Sequence, residues 1–189
     1  ADEEAEQHEQ DKKKPKINSF NSHSMVCNTL LAHPSQFAIQ KLKSFEYVEL
    51  WYFTPEGCHI TSDKNKSMAR GSYTFTEEGQ YLSLKSSASH KPSPKAVLDQ
   101  HLSWHQFNLG KNNYLLHPAK LKWPEEPQVS LALFFMTIIS HEYRTSPNGE
   151  RTLLEYQSQV HRDWHDCLLI ETEAFNIGLF NDTASKNCQ

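Results

Sequence analysis

Gly149-Glu150-Arg151-Thr152-Leu153-Leu154-Glu155-Tyr156-Gln157-Ser158-Gln159-Val160-His161-Arg162-Asp163-Trp164-His165-Asp166-Cys167-Leu168 is the stretch whose reading decides the fold. Leu153, Leu154, Tyr156, Val160, Trp164, Cys167 and Leu168 fall along one stripe at helical spacing, while Glu150, Arg151, Glu155, Arg162 and Asp163 fall mostly elsewhere. The pattern predicts an amphipathic helix from Glu150 to Glu171 with one face against a core. Before it, Ser146-Pro147-Asn148-Gly149 reads as a turn, since proline fixes one φ and glycine permits a positive one. After it, the apolar stretch Ala174 to Phe180 is expected to pack back as a cap.

Working outward, Gln128 to Arg144 is apolar on nearly every side until His141, which predicts a helix at the centre of the domain. Trp123-Pro124-Glu125-Glu126-Pro127 punctuates the chain ahead of it. Ser103-Trp104-His105-Gln106 has the Ser-x-x-Gln form of a capping box, with Trp104, Phe107, Tyr114 and Leu115 on one side of a helix that Gly110 weakens. Pro34 to Thr54 carries Leu42, Phe45, Val48 and Tyr52 near helical spacing and is read as a helix; the aromatic run Tyr47 to Phe53 also has the content of a strand. Thr54-Pro55-Glu56 resembles the N-cap of a short second helix. Tyr73 and Phe75, then Tyr81, Leu82 and Leu84, flank Glu77-Glu78-Gly79-Gln80 and predict a small β-hairpin.

Ala1 to Lys16 holds six acids and four lysines, too little apolar content to offset the entropy of ordering. The expected fold is therefore mainly α: a single-domain helical bundle over residues 25–189, with a small β-hairpin insertion, behind a disordered tail over residues 1–24.

Hydrophobic residues make up 37% of the 189 and charged residues 22%, outside the region where chains stay unfolded. A net charge of -4 argues against affinity built on neutralising phosphates, so nucleic acid is a possible partner that the charge does not favour. The apolar run Val129 to Ile139 is too short for a membrane span, and the acidic, polar start has no secretory pattern. Cys27, Cys58, Cys167 and Cys188 form no Cys-x-x-Cys pair and read as reduced thiols of a cytoplasmic or nuclear protein. The sequons Asn65-Lys66-Ser67 and Asn181-Asp182-Thr183 keep secretion as the alternative.

Gly-x-Gly-x-x-Gly, phosphate-loop and Gly-x-Ser-x-Gly patterns do not occur, and His141-Glu142 lacks the second histidine of a zinc-protease motif. Two His-x-x-x-His pairs, His101 with His105 and His161 with His165, place residues four apart, a spacing that offers two imidazoles to one ion when both lie on a helix. His101 precedes the proposed Ser103 cap, so His161 and His165 are the candidate metal ligands. With Asp166 they are also the candidate catalytic residues, because a neighbouring carboxylate can orient a histidine as a general base. The competing reading is a set of hydrogen-bonded histidines with no metal, and no cofactor is expected. Phe45, Tyr47, Trp51, Tyr52 and Phe53 read as core; exposed, they would form a patch suited to self-association.

Several blocks carry a resemblance: Lys43-Ser44-Phe45-Glu46-Tyr47-Val48-Glu49-Leu50-Trp51-Tyr52-Phe53-Thr54-Pro55-Glu56-Gly57-Cys58; Leu102-Ser103-Trp104 through Lys111-Asn112; Trp123-Pro124-Glu125; Leu131 to Phe135; and Gly149 to Gln157, Arg162 to Asp166, Phe175-Asn176-Ile177. In this order, over roughly residues 42 to 181, they resemble a group of uncharacterised proteins of mushroom-forming fungi with no established activity. The resemblance implies mobile-element surroundings and, in some members, a Cys/His-rich tail like that of retroelement gag proteins. These residues hold no such segment, which sets zinc-mediated nucleic-acid binding aside as an expectation. The expected function is a non-enzymatic, helical, self-associating scaffold or interaction protein of mobile-element or domesticated origin. The alternatives are a metal-dependent enzyme using His161 and His165, and a secreted effector-like protein.

Overall fold

Ser35 opens the first helix by a local bond: its hydroxyl oxygen accepts the Ala38 N–H at 3.2 Å, satisfying one of the free donors of the first turn. In the computed structural model, which describes residue 25 and residues 33–67, 73–78, 81–86, 91–170, 172–181 and 183–184, this helix, α1, spans Gln36–Lys43. It stops well short of Thr54. Ser44 caps it and Phe45 takes a left-handed φ of 59°, which ends helical propagation. The expected helix from Pro34 to Thr54 is corrected accordingly, and the strand alternative is not adopted either. Leu50–Phe53 form a single 3₁₀ turn, all four side chains buried. Four successive inward residues fit neither the alternation of a strand nor the single stripe of a helix, so a tight turn enclosed on all sides is the solution.

Thr54 then reads as expected. Its hydroxyl donates to the Trp51 carbonyl at 2.7 Å and accepts the Gly57 N–H at 3.0 Å, starting α2 at Pro55–Ser67. Strands β1 (Tyr73–Glu78) and β2 (Tyr81–Ser86) pair antiparallel, with Tyr73 opposite Ser86 and Glu78 opposite Tyr81. After a 3₁₀ turn at Asp99–His101, α3 spans Trp104–Tyr114 behind the full Ser103/Gln106 capping box. Gly110 is more than a weak point in α3: a Cβ there would lie 2.7 Å from the Leu50 carbonyl oxygen, so the missing side chain lets the helix seat against the aromatic turn.

Short α4 (His117–Lys120) leads to α5 (Glu125–Ser140), a 3₁₀ turn at Glu142–Thr145, and α6 (Gly149–Cys167). In the intervening turn the positive φ belongs to Asn148, at 61°, while Gly149 is needed for space, since its Cβ would fall 1.7 Å from the Tyr143 carbonyl oxygen. α6 runs four residues short of Glu171 and buries Leu153, Leu154, Tyr156 and Trp164 of the expected stripe. Ile177 is buried and Phe180 packs on the core, so the 174–180 segment does return to the domain.

The expected central placement of α5 needs correction. Leu131, Phe134, Phe135 and Ile138 are buried, but Val129, Leu133 and Met136 are 51%, 51% and 64% exposed. The described chain is mainly helical, with α1 and α3 to α6 in one compact unit. No helix among the described residues is long and apolar enough to cross a membrane. The expected tail over residues 1–24 lies outside the described residues, as do Cys27 and Cys188; Cys58 and Cys167 are not disulfide-bonded.

Candidate functional site

Residues 161 and 165 share the α6 face that also carries Gln157, and that face points inward. His161 is fully buried and His165 is 3% exposed, with ring centroids 4.9 Å apart. Tyr114, at the end of α3, places its hydroxyl between them, 3.3 Å from His161 Nε2 and 3.0 Å from His165 Nε2. On the far side, His165 Nδ1 meets the Phe45 carbonyl oxygen at 2.7 Å. A carbonyl only accepts, so His165 carries its proton on Nδ1 and its Nε2 accepts from the Tyr114 hydroxyl. The Tyr114 oxygen in turn accepts from His161 Nε2–H. His161 Nδ1 is then an acceptor for the Gln157 amide, 3.4 Å away.

At its Gln157 end the network also meets a carboxylate that is nowhere near these residues in sequence. Asp99 is fully buried; its Oδ2 accepts from Gln157 Nε2 at 3.2 Å and lies 3.8 Å from His161 Nδ1, while its Oδ1 accepts the Leu50 N–H at 2.7 Å. Donation therefore runs one way from Gln157 through His161, Tyr114 and His165 to the Phe45 carbonyl, with Asp99 as a second acceptor for Gln157. The network ties the 45–50 segment, the 99–101 turn, α3 and α6 together. Among the described residues the Gln157 amide oxygen has no hydrogen-bond partner.

Aromatic rings close the network off. Tyr47, Tyr114 and Phe135 all present edges within 5.4 Å of the His161 ring, and Trp123 stands 6.0 Å from His165. Burial, with the neighbouring His161 second, pushes the His165 imidazole down to about 3 against the opposing pull of the Phe45 carbonyl, so the ring is neutral at ordinary pH. Burial first, and then the Asp99 charge, hold the Tyr114 phenol far above its usual range. His117, packed beside Phe53, is likewise pushed down to about 4 by burial, then by Lys120 and His33.

Outside this sealed interior lies an open concavity of about 410 Å³ where His165 and Tyr47 form part of the wall and Asp166 and Lys41 part of the rim. Arg162 lies over the Tyr47 ring, 4.6 Å from its centre, and Lys41 pairs with Glu46. Asp166 is exposed, and the bonds that orient His165 come from Tyr114 and Phe45. Both nitrogens of His165 are already engaged, Nε2 by the Tyr114 hydroxyl and Nδ1 by the Phe45 carbonyl. His101 ends the turn before α3 and His105 sits on α3, both exposed, so those two do not share a helix. Among the described residues, no group of three or more His, Cys, Asp or Glu side chains is placed to hold a metal ion.

Asp99, Gln157 and Tyr114 are the members that sequence reasoning missed. Asp99 follows a Pro- and Ser-rich stretch, and its partners stand 49 and 58 residues away, so no local spacing marks it. Gln157 had a usable signal: it lies four residues before His161 and eight before His165, on the same helical row.

The chain matches no family model, no curated protein and no solved structure.

Proposed function

We propose that this chain is a non-enzymatic interaction protein that associates with itself, with the resemblance to fungal mobile-element proteins as its evolutionary setting. The observation that carries the reading is the outer face of α5. A helix apolar on nearly every side normally lies within a core, yet here Val129, Leu133 and Met136, spaced i, i+4 and i+7, form an exposed stripe opposite the buried Leu131, Phe134, Phe135 and Ile138. Among the described residues such a stripe lies outside the core cluster, and it is suited to a second apolar surface. The histidine network supports the same reading from the other side, since its imidazoles are spent on internal bonds. The architecture under this reading is a single helical domain with the β1–β2 pair as an insertion. The compartment under this reading is cytoplasm or nucleus.

Sedimentation equilibrium over a wide concentration range tests it. Mass should rise with concentration, and Leu133→Asp, a change at an exposed position, should weaken association by about tenfold or more while leaving the helical circular-dichroism signal intact. A strict monomer up to millimolar concentration overturns the proposal.

A further inference from the structure

The geometry points to a binding site for a peptide segment with one acidic residue between two basic ones, seated along the outward face of α6 with its carboxylate on Arg162. The site goes beyond self-association and stands whether or not the chain dimerises. Two open hollows lie along that face and share Arg162 as a common wall. One, of about 380 Å³, is bounded by Leu98, Gln100 and Ser158; the other, the concavity of about 410 Å³ described above, runs past Phe45 and Tyr47 to Leu169. At helical rise the span from Ser158 to Leu169 is about 16 Å, the length of roughly five residues of extended chain.

Charge selects the occupant. Arg162 is exposed, lies over the Tyr47 ring 4.6 Å from its centre, and forms no ion pair with a carboxylate among the described residues. Glu49 and the buried Asp99 act on it through their field without coming to ion-pair distance. A guanidinium resting on an aromatic face is held in place while its N–H edge stays free, an arrangement that grips a carboxylate with two bonds. Lys41, on the rim of the larger hollow, is spent on Glu46. The charges left over are Asp163 in the smaller hollow, Asp166 in the larger, and Arg162 shared between them, so a negative group stands on each side of a positive one. The complement is a carboxylate with a cation on each side. A phosphoryl group, carrying up to two charges, would face two aspartates with one cation to hold it, so the anion that fits is a carboxylate.

The test is an NMR titration of the isotope-labelled full chain with the capped pentapeptide Lys-Ser-Glu-Ser-Lys, whose alternate residues face one side when extended. Amide signals around Arg162 in both hollows should shift, with a dissociation constant of about 0.1–1 mM at low salt and binding lost at high salt. Arg162→Gln should weaken binding about fivefold or more, and Arg162→Lys less, because lysine keeps the charge without the fork. Asp163→Asn combined with Asp166→Asn, both at exposed positions, should weaken it about two- to tenfold. The inverted peptide Glu-Ser-Lys-Ser-Glu should leave the spectrum unchanged. Equal binding of the inverted peptide, tighter binding of a version with phosphoserine in place of its glutamate, or no shift with the first peptide at about 5 mM overturns the proposal. So does an Arg162→Gln protein with an intact circular-dichroism signal that binds as tightly as the wild type.

Discussion

Tyr114→Phe removes one oxygen atom from the interior and leaves the ring in its place, packed 5.0 Å from Phe53 and 6.1 Å from Phe135. That oxygen serves two partners. Without it the His161 Nε2–H, 3.3 Å away, loses its acceptor and the His165 Nε2, 3.0 Å away, loses its donor. Each buried polar group left without a partner costs about 1–3 kcal/mol. The His165 side cannot adapt, because its proton is held on Nδ1 by the Phe45 carbonyl at 2.7 Å. The His161 side can partly adapt by moving its proton to Nδ1, toward Asp99 Oδ2 at 3.8 Å, which leaves two facing lone pairs in place of an orphaned donor. The expected loss is therefore about 2–4 kcal/mol, a large share of the 5–15 kcal/mol typical of a folded domain. Urea unfolding followed by the fluorescence of buried Trp51, Trp123 and Trp164 measures it. A loss under about 0.5 kcal/mol would show that the hydroxyl is idle, and the one-way donor chain described above would have to be abandoned.

Two more outcomes follow from the same geometry. His165 and His117 have folded-state values of about 3 and about 4, below the ordinary 6.5, so the unfolded chain binds protons that the folded chain refuses. Stability is then fully present above pH 6.5 and falls as pH drops toward 4, by up to about 1.4 kcal/mol per pH unit for the almost fully enclosed His165 and less for His117; a urea midpoint that stays flat between neutrality and mild acid contradicts this. Gly110→Ala should destabilise by about 1–3 kcal/mol in the same assay, despite alanine's better helix propensity, because its Cβ meets the Leu50 carbonyl oxygen at 2.7 Å. An unchanged or raised stability would mean that α3 can move away from the aromatic turn without cost.

The elements that could be read in the sequence are those whose cause is local. Ser103 and Gln106 stand three residues apart and exchange both bonds of a capping box, and Thr54 needs only Trp51 and Gly57 to start α2. Leu42, Phe45, Val48 and Tyr52 mislead for the opposite reason. Their helical spacing is genuine, but Leu42, Val48 and Tyr52 reach the core from three different backbone states and Phe45 packs against Trp123, a residue remote in the chain. Periodicity reports which residues turn inward and says nothing of a break such as the positive φ at Phe45. The same limit shaped the reading of the site. The four-residue step from His161 to His165 correctly puts both on one face of α6, whereas the content of the space that face looks into depends on Tyr114 and Asp99, which arrive by tertiary packing.

The bond from the Leu50 N–H to Asp99 reaches across 49 residues, and the bond from Gln157 to the same carboxylate across 58. Until that carboxylate arrives, enclosing the aromatic turn would strand a main-chain amide away from water, so the turn stays wet while the intervening chain is still loose. Collapse of the ring cluster and closure of this long loop are thereby made one step, and the molecule is expected to fold at the pace of the loop and not of its helices.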